Sequence, residues 1–416
     1  MTLVTGWDWS TQEKNITDIK KWKKIFPAIH EFVVSPDGEK ISAIVKSDND
    51  RLTPCVNGSP WPHTFEKAWS LRFGRDGRLT CLVMNDDEWT VVTDDQMWEQ
   101  TYDYVWNLQE NRDGGCIAAN IKTGSQYAVA LNGTGWENAF LEARDLAVSP
   151  DGKHTASSVQ TEKLDSADTA GFLKGVWSVA IDGNLWDKHF ANVWGVTFSS
   201  DGSSVAAEVR TDIRDYTIAV NNQPWSKVFR CVWEPLFKPS GSDVTAPVQT
   251  EKGWTLALNG NVIWDRYFNQ LWHQRYSPNG QDTAAVVSPQ FGKWTIAING
   301  SPWKKTFGDA VLPPLFSAEG KRVAAVVKNK NKWTIAADGQ VWEEFFDMIW
   351  DPLFSPDGSR IAAKAEREGN FFIVIDGKIW RGPFEACWDP VFSPDGEKVL
   401  VRSIDGGIYC RQVCSL

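Results

Sequence analysis

No run of about 18 apolar residues occurs anywhere in this 416-residue chain, so the sequence predicts no transmembrane helix. The opening residues, MTLVTGWDWSTQEKNITD, lack a basic segment followed by an apolar run and so lack the pattern of a secretory signal. A soluble, cytoplasmic protein is expected. An excess of positive charge is missing as well. Lys and Arg number 43 against 53 Asp and Glu, a net charge of −10, and basic stretches such as KKWKK from Lys20 are short. That balance excludes a nucleic-acid backbone or an anionic lipid surface as the main partner.

Chemistry-bearing motifs are scarce too. Seven cysteines (Cys55, Cys81, Cys116, Cys231, Cys387, Cys410 and Cys414) are odd in number and scattered. None forms C-x-x-C, and neither a ferredoxin cysteine series nor a C-x-x-C-H haem site occurs. Cys410 and Cys414 read as free thiols in or beside a final strand. The five histidines, His30, His63, His154, His189 and His273, have no paired spacing for zinc. His189 reads as exposed. G-x-S-x-G, H-E-x-x-H and Gly-rich phosphate loops are absent. The sequence therefore nominates no catalytic, cofactor-binding or metal-binding residue, and a non-enzymatic protein without a cofactor is expected.

What the chain does have is a repeat. A turn signature ends at Gly38, Gly77, Gly114, Gly152, Gly202, Gly241, Gly280, Gly320, Gly358 and Gly396, most often as S-P-D-G. Successive glycines are 37 to 40 residues apart, with one interval of 50 where residues 161–175 enlarge a loop. Pro presets the second turn position, and Gly takes a left-handed conformation that is costly for other residues. Each unit then shows four short segments. An aromatic-led run such as WDPLFS precedes the turn, and a Val/Ala run such as RVAAVV follows it. Next comes an alternating run such as WTIAING, closed by the Asn-Gly hairpin signal. A short run such as PWKKTF completes the unit. Four strands of about five or six residues with four connections of about four give roughly 38 residues.

Such a sheet has two apolar faces and cannot bury them alone. Radial repetition buries both, so the fold class predicted is an all-β propeller of about ten four-stranded antiparallel units. Ala pairs at Ala206-Ala207, Ala284-Ala285, Ala324-Ala325 and Ala362-Ala363 would let neighbouring sheets approach closely. After Gly396 the chain supplies only a second and a third strand. The missing fourth is expected from the N-terminus near Trp22, closing the ring by pairing of N- and C-terminal strands. Residues 1–416 read as one domain; two five-bladed rings divided near 161–175 are the alternative.

The 24 tryptophans fall mostly at three repeat positions. One opens the third strand (Trp89, Trp177, Trp254, Trp294, Trp333). A second follows the Asn-Gly turn (Trp61, Trp98, Trp136, Trp186, Trp225, Trp264, Trp303, Trp342, Trp380), with Trp22 as its displaced member. A third stands eight residues before the turn glycine (Trp69, Trp106, Trp194, Trp233, Trp272, Trp350, Trp388). His30 occupies that last position in the first unit and reads as a packing variant. Trp7 and Trp9 lie outside the scheme. Packing between wedge-shaped sheets is the expected role of the indoles, with an aromatic docking face or an electron-hopping path as further readings. Asp351 and Asp389 in W-D-P, and Glu234 in W-E-P, read as caps of a strand end, with an acidic lining of the channel as the alternative.

The F-S-P-D-G turns at 354–358 and 392–396, each followed by an apolar strand, resemble the WD40-like repeats of the TolB type. That resemblance spans nearly the whole chain and implies a propeller, not a function. Chain length, a propeller-like repeat and Trp in nearly every unit make the sequence similar to the tryptophan-rich subunit of the Tmc transmembrane electron-transfer complex of sulfate-reducing bacteria. The resemblance implies a peripheral subunit on the cytoplasmic face of a membrane redox complex. It also implies a multihaem cytochrome c, a cytochrome b and an iron–sulfur protein as partners. The function expected is a non-catalytic scaffold of that kind. A carbohydrate- or small-ligand-binding propeller, or a hydrolase with its site in the central channel, are the alternatives.

Overall fold

The structure, a computed structural model, describes residues 6–47, 49–164 and 168–416. It contains ten antiparallel sheets of four strand positions each, arranged as ten blades in a ring: a β-propeller. Blade 7 is representative. Its strands are Gln270–Tyr276, Thr283–Gln290, Lys293–Ile298 and Ser301–Pro302, hydrogen-bonded in chain order. The first strands of neighbouring blades touch (Lys67–Phe73 on Val33–Val34, Glu142–Val148 on Tyr104–Glu110), which places them innermost. The short fourth strands form the rim.

The second strands are the buried layer. Ala206, Ala207, Ala284, Ala285, Ala324, Ala325, Ala362 and Ala363 are all fully inaccessible. Small side chains there let apolar residues of adjacent blades share one core, as Val286 and Ile296 do with Val311, Val323 and Val327. Blade 5 shares a core with blade 6 through Ile218, Val232 and Val248. Blade 10 shares one with blade 1 through Tyr409, Ile404, Ile41 and Ala43. Residues 161–175 lie between the second and third strands of blade 4, Thr155–Gln160 and Trp177–Ile181, so a boundary there would cut through a sheet. That loop carries helix α2, Thr169–Lys174; residues 165–167 lie outside the described set.

The Asn-Gly and Asp-Gly turns have a second role. Asn299 and Gly300 both adopt positive φ, 48° and 79°, as a two-residue hairpin turn of this kind requires. The Asn299 side chain also accepts a hydrogen bond from the Thr283 backbone N–H at 2.9 Å, tying the turn to the start of the second strand. Its counterparts Asn57, Asn132 and Asp338 do the same for Ile41, Ile117 and Val323. In six blades the tryptophan after such a turn packs on the turn glycine of the next blade. A Cβ on Gly300 would stand 3.3 Å from Trp264, whose indole N–H donates to Thr283 Oγ1 at 3.1 Å. Gly300→Ala therefore meets both left-handed strain and a close indole. A loss of about 1–2 kcal/mol is expected, read as a lower denaturation midpoint with an unchanged urea slope.

Ring closure uses the N-terminus, at a different place from the one expected. The outer strand of blade 10 is Gln12–Asp18, paired antiparallel with Ile408–Ser415 from Gln12↔Val413 to Asp18↔Ile408. Trp22 is not in a strand. It lies in helix α1, Ile19–Ile25, capped by the Asp18 side chain on the Lys20 N–H. Its predicted role is nonetheless kept: Trp22 is 2% exposed and its indole stands 3.0 Å from the Cβ position of Gly58 in blade 1. Four exposed Lys within α1 crowd a solvent-facing side that a strand edge would have to pair, whereas a helix leaves it in water.

The closing seam also holds two buried arginines. Arg411, fully buried, donates to the backbone carbonyls of Asp37 and Asp8 and pairs with Glu39 at 3.1 Å. Arg402 donates to the carbonyls of Ser35 and Asp389, and the Tyr409 hydroxyl donates to that of Gly38. Burial raises this phenol well above the usual tyrosine range. Trp7 and Trp9, which the repeat left unassigned, stack on each other at 6.1 Å, and the Trp9 carbonyl accepts from Lys398 of blade 10.

A candidate binding site at the seam of blades 4 to 6

The two ends of the ring differ. One carries the turns between first and second strands and the Asn-Gly turns. The other carries the turns between second and third strands and the blade-to-blade connections. Aromatic pairs gather near this second end, because the third-position residue of each first strand lies diagonally across the sheet from the opening residue of the third strand. The pairs are Trp69–Trp89 at 4.1 Å, Trp106–Tyr127 at 5.9 Å, Trp194–Tyr216 at 6.4 Å and Trp233–Trp254 at 5.6 Å. Trp272–Trp294 at 4.7 Å, Trp350–Phe371 at 6.1 Å and Trp388–Tyr409 at 5.8 Å complete the series. In blade 4, Arg144 replaces the first member and lies over Trp177 at 4.8 Å. In blade 1, His30 holds the position and is exposed, so it is not the packing variant expected. Imidazole is too small to reach across the sheet, and Leu52 stands where other blades open their third strand on an aromatic.

After the third-position residue, each first strand bulges. Ser70, Asn107, Asp145, Gly195 and His273 adopt φ of 51–58° there. In blades 6, 8, 9 and 10 the strand breaks into two short pieces around a proline, as at Cys231–Val232 and Leu236–Phe237. Glu234, Asp351 and Asp389 occupy this break, one per blade. They stand at strand interruptions on the innermost strands and are not brought together. Asp389 takes part through its carbonyl, with Arg402.

Glu234 has charged company. His273 Nδ1 of blade 7 stands 3.5 Å from Glu234 Oε1, and Gln274 donates its side-chain Nε2 to the Glu234 carbonyl at 2.7 Å. Burial pushes the Glu234 carboxyl up, but His273 and Arg275 outweigh it and hold the carboxyl below the usual range. Opposite it is Glu208, on the second strand of blade 5 directly across from Trp194. Glu208 is partly buried and forms no hydrogen bond or ion pair among the described residues. Burial, with the charges of Glu234 and Asp145 added, pushes its carboxyl up to about 8. At neutral pH Glu208 is mostly protonated while Glu234 is ionised.

The sequence reading missed Glu208. A signal was available in the repeat. Its row of the second strand holds Leu82, Val286 and Val326 in blades 2, 7 and 8 and Asn120, Ser158, Lys364 and Arg402 in blades 3, 4, 9 and 10, and Glu208 is the one carboxyl in it. Blades 4 and 5 are irregular in another way. Seven blades join second and third strands by two-residue turns, whereas blade 1 uses residues 47–51, blade 4 residues 161–176 and blade 5 residues 211–215. Arg210 of blade 5 lies over Phe172 of α2 at 5.1 Å and over Tyr216 at 5.3 Å, joining the two enlarged loops. Leu173 and Ile213 on them are exposed.

The remaining sequence candidates are dispersed. His63 and His154 pair with the turn carboxylates Asp95 and Asp182, and His189 is exposed. Cys410 and Cys414 are free thiols on the last strand, Ile408–Ser415, and Cys410 donates to Asn15 Oδ1. Cys55, Cys81 and Cys387 are buried, which pushes their thiols up to about 12 and keeps them un-ionised. Among the described residues no three His, Cys, Asp or Glu side chains converge as a metal site, and no helix is long and apolar enough to cross a membrane.

No protein-family model matches the chain, and no curated protein is significantly similar to it. Among solved structures, it is similar to a crystal structure of the eukaryotic initiation factor. The identity is 16% over 78% of this chain and 89% of the other, with a TM-score of 0.49.

Proposed function

We propose that the chain is a non-catalytic scaffold that docks other proteins on the end of the ring carrying the aromatic pairs. The observation behind this reading is the repetition of aromatic pairs in seven blades with members left open to solvent. Trp69 and Trp233 are 36% and 38% exposed, and Tyr104, beside Trp69 at 6.2 Å, is 39% exposed. Large, rigid, amphipathic rings of this sort give contact area at low entropic cost. A catalytic centre would need one special copy of the repeat, whereas a docking face gains from many similar ones. The resemblance to the tryptophan-rich Tmc subunit supplies the finer proposal: a cytoplasmic, peripheral subunit of a membrane electron-transfer complex, with a multihaem cytochrome c, a cytochrome b and an iron–sulfur protein as partners.

The test is purification of the tagged full chain from its own cells in mild detergent. The expected result is co-elution with haem absorbance and iron–sulfur protein. A Trp69→Ala/Trp233→Ala variant, folded by circular dichroism, is expected to lose most of that material. Repeated recovery of a free monomer would refute the complex, and an unaffected double variant would refute this docking face.

A further inference from the structure

We propose that the cleft between the rims of blades 7 and 8 binds a small zwitterion, an amino acid or short peptide with an apolar side chain, its carboxylate at Lys305 and its ammonium at Glu343. This goes beyond docking on the exposed aromatic end and stands independently of it.

The outer parts of these two blades diverge around a cleft of about 410 Å³, a volume in the range of small-ligand sites. Lys305 and Phe307 line it from blade 7. From blade 8 come Asn329, the last residue of the second strand, and Val341, Glu343 and Phe345 along the outer edge. Phe307 and Val341 also belong to the core that the two blades share, so the cleft has an apolar floor. Phe345 is 40% exposed and leaves an aromatic surface open to a guest. The side chains of Lys305, Asn329 and Glu343 form no hydrogen bond or ion pair among the described residues. An ammonium on blade 7 and a carboxylate on blade 8 thus border one space without pairing.

The other seams show how the chain fills this place itself. Between blades 8 and 9, Arg367 stands at the position of Asn329 and Glu344 at that of Lys305. Arg367 pairs with Glu344 at 2.5 Å and donates to the Phe345 carbonyl at 3.0 Å. Its guanidinium lies 4.6 Å over Phe346, the counterpart of Phe307, since each bridges to the aromatic that opens its third strand. A charged group is thus inserted over the ring and against the opposite charge of the wall. At two further seams the residue at the position of Lys305 crosses to the next blade. Lys188 donates to Gln223 Oε1 at 2.9 Å, and Lys227 to Asn261 Oδ1 at 2.8 Å. Gln340 is the counterpart of these amides and lines the cleft, but Lys305 makes no bond to it.

Between blades 7 and 8, then, neither arrangement operates, and the charge of the wall is reversed. Lys305 replaces the carboxylate of Glu344, and the neutral amide of Asn329 replaces the guanidinium of Arg367. The complement of this wall is an anion. A carboxylate suits it, because the Lys305 ammonium and the Asn329 Nδ2 group are both donors. Glu343 would repel a guest carrying only negative charge. An ammonium on the same guest removes that repulsion, and an amino acid or a short peptide carries both charges. Its apolar side chain would cover Val341 and Phe345, taking their surface out of water.

The experiment is calorimetric titration of the full chain near pH 7 with L-phenylalanine and with glycyl-L-phenylalanine. Phenethylamine and 3-phenylpropionate serve as guests that lack one of the two charges. We expect saturable binding of a zwitterion with a Kd of order 0.1–1 mM, and binding at least tenfold weaker for each one-charge guest. Lys305→Gln should reduce the zwitterion to the affinity of phenethylamine, and Glu343→Gln to that of 3-phenylpropionate. Lys305→Glu/Asn329→Arg installs the pair found between blades 8 and 9; it should abolish binding while the protein melts no lower than the parent. Tighter binding of L-phenylalanine assigns the guest as a free amino acid, and tighter binding of the dipeptide as a short peptide; both support the site. Absence of saturable heat up to about 10 mM, one-charge guests that bind as tightly as the zwitterions, or undiminished binding by folded Lys305→Gln protein overturns it. None of these failures touches the docking reading, which rests on Trp69 and Trp233.

Discussion

Deleting residues 1–25 should lower the melting temperature by roughly 10 °C or more and make the protein aggregate. The deletion removes three things at once. The outer strand Gln12–Asp18 is lost, which leaves Ile408–Ser415 as an open edge, a template for pairing with other chains. Trp22 is lost from the core it shares with Ile41, Val45 and Tyr409, alone worth about 3–5 kcal/mol by analogy with truncated buried aromatics. The Asp8 carbonyl is lost from Arg411, which leaves more of a fully buried guanidinium unsatisfied, and such orphaned charges are strongly destabilising. For a chain of this size each kcal/mol moves the midpoint by about 2–4 °C or less, so the sum is readily measured by scanning calorimetry. An unchanged melt would mean that the tenth blade stands without its fourth strand, and the closure described here would be wrong.

Replacing Glu208 by Gln should stabilise the protein at alkaline pH and do nothing at acid pH. The native carboxyl titrates at about 8, against about 4.3 for an unfolded glutamate. Between those values the native state binds the proton and the unfolded state does not, so stability falls as pH rises. Below about pH 4 both states hold the proton and there is no penalty. Above about pH 8 the penalty is complete. Each pKa unit is worth about 1.4 kcal/mol, and the site is only partly buried, so a gain of order 2–4 kcal/mol near pH 9 is the reasonable size. Urea denaturation of both proteins near pH 5, 7 and 9 reads it. The two curves should lie close near pH 5 and diverge progressively toward pH 9. Parallel curves across the range would show that Glu208 is not held protonated by the fold.

These two predictions locate the exceptions to the repeat: one where the chain ends must meet, the other where the second-strand row holds its one carboxyl. The regular part of the molecule was legible in advance. S-P-D-G and Asn-Gly turns require left-handed backbone at fixed positions, and Gly300 and Asn299 supply it. The Ala pairs of the second strand were read as spacers and are fully buried. Trp264 and Trp303 recur because a wedge-shaped gap recurs. The aromatic scheme was less legible, since the pairing of Trp69 with Trp89 depends on a diagonal across two strands that spacing along the chain does not show. Trp22 shows the same limit. Its sequence offset made it the displaced member of the series after the Asn-Gly turns, and it does pack on Gly58, but the offset is indifferent to whether the backbone arrives as strand or helix.

The sequence by itself determined the fold class and the number of units, because turn chemistry and period are local properties repeated ten times. It also determined that the N-terminus must complete the last unit, since the strand count fell short by one. Only the tertiary structure decided that Gln12–Asp18 is the closing strand and that the seam it closes is bound by Arg402, Arg411 and Tyr409. Only the structure brought the charges of Glu234 and Asp145, from the blades on either side, to bear on Glu208. The physical reason is that a carboxyl's proton affinity depends on burial and on charges arriving from distant parts of the chain. Local sequence fixes the backbone turn by turn, but the charge a side chain carries is settled by neighbours that only the closed ring provides.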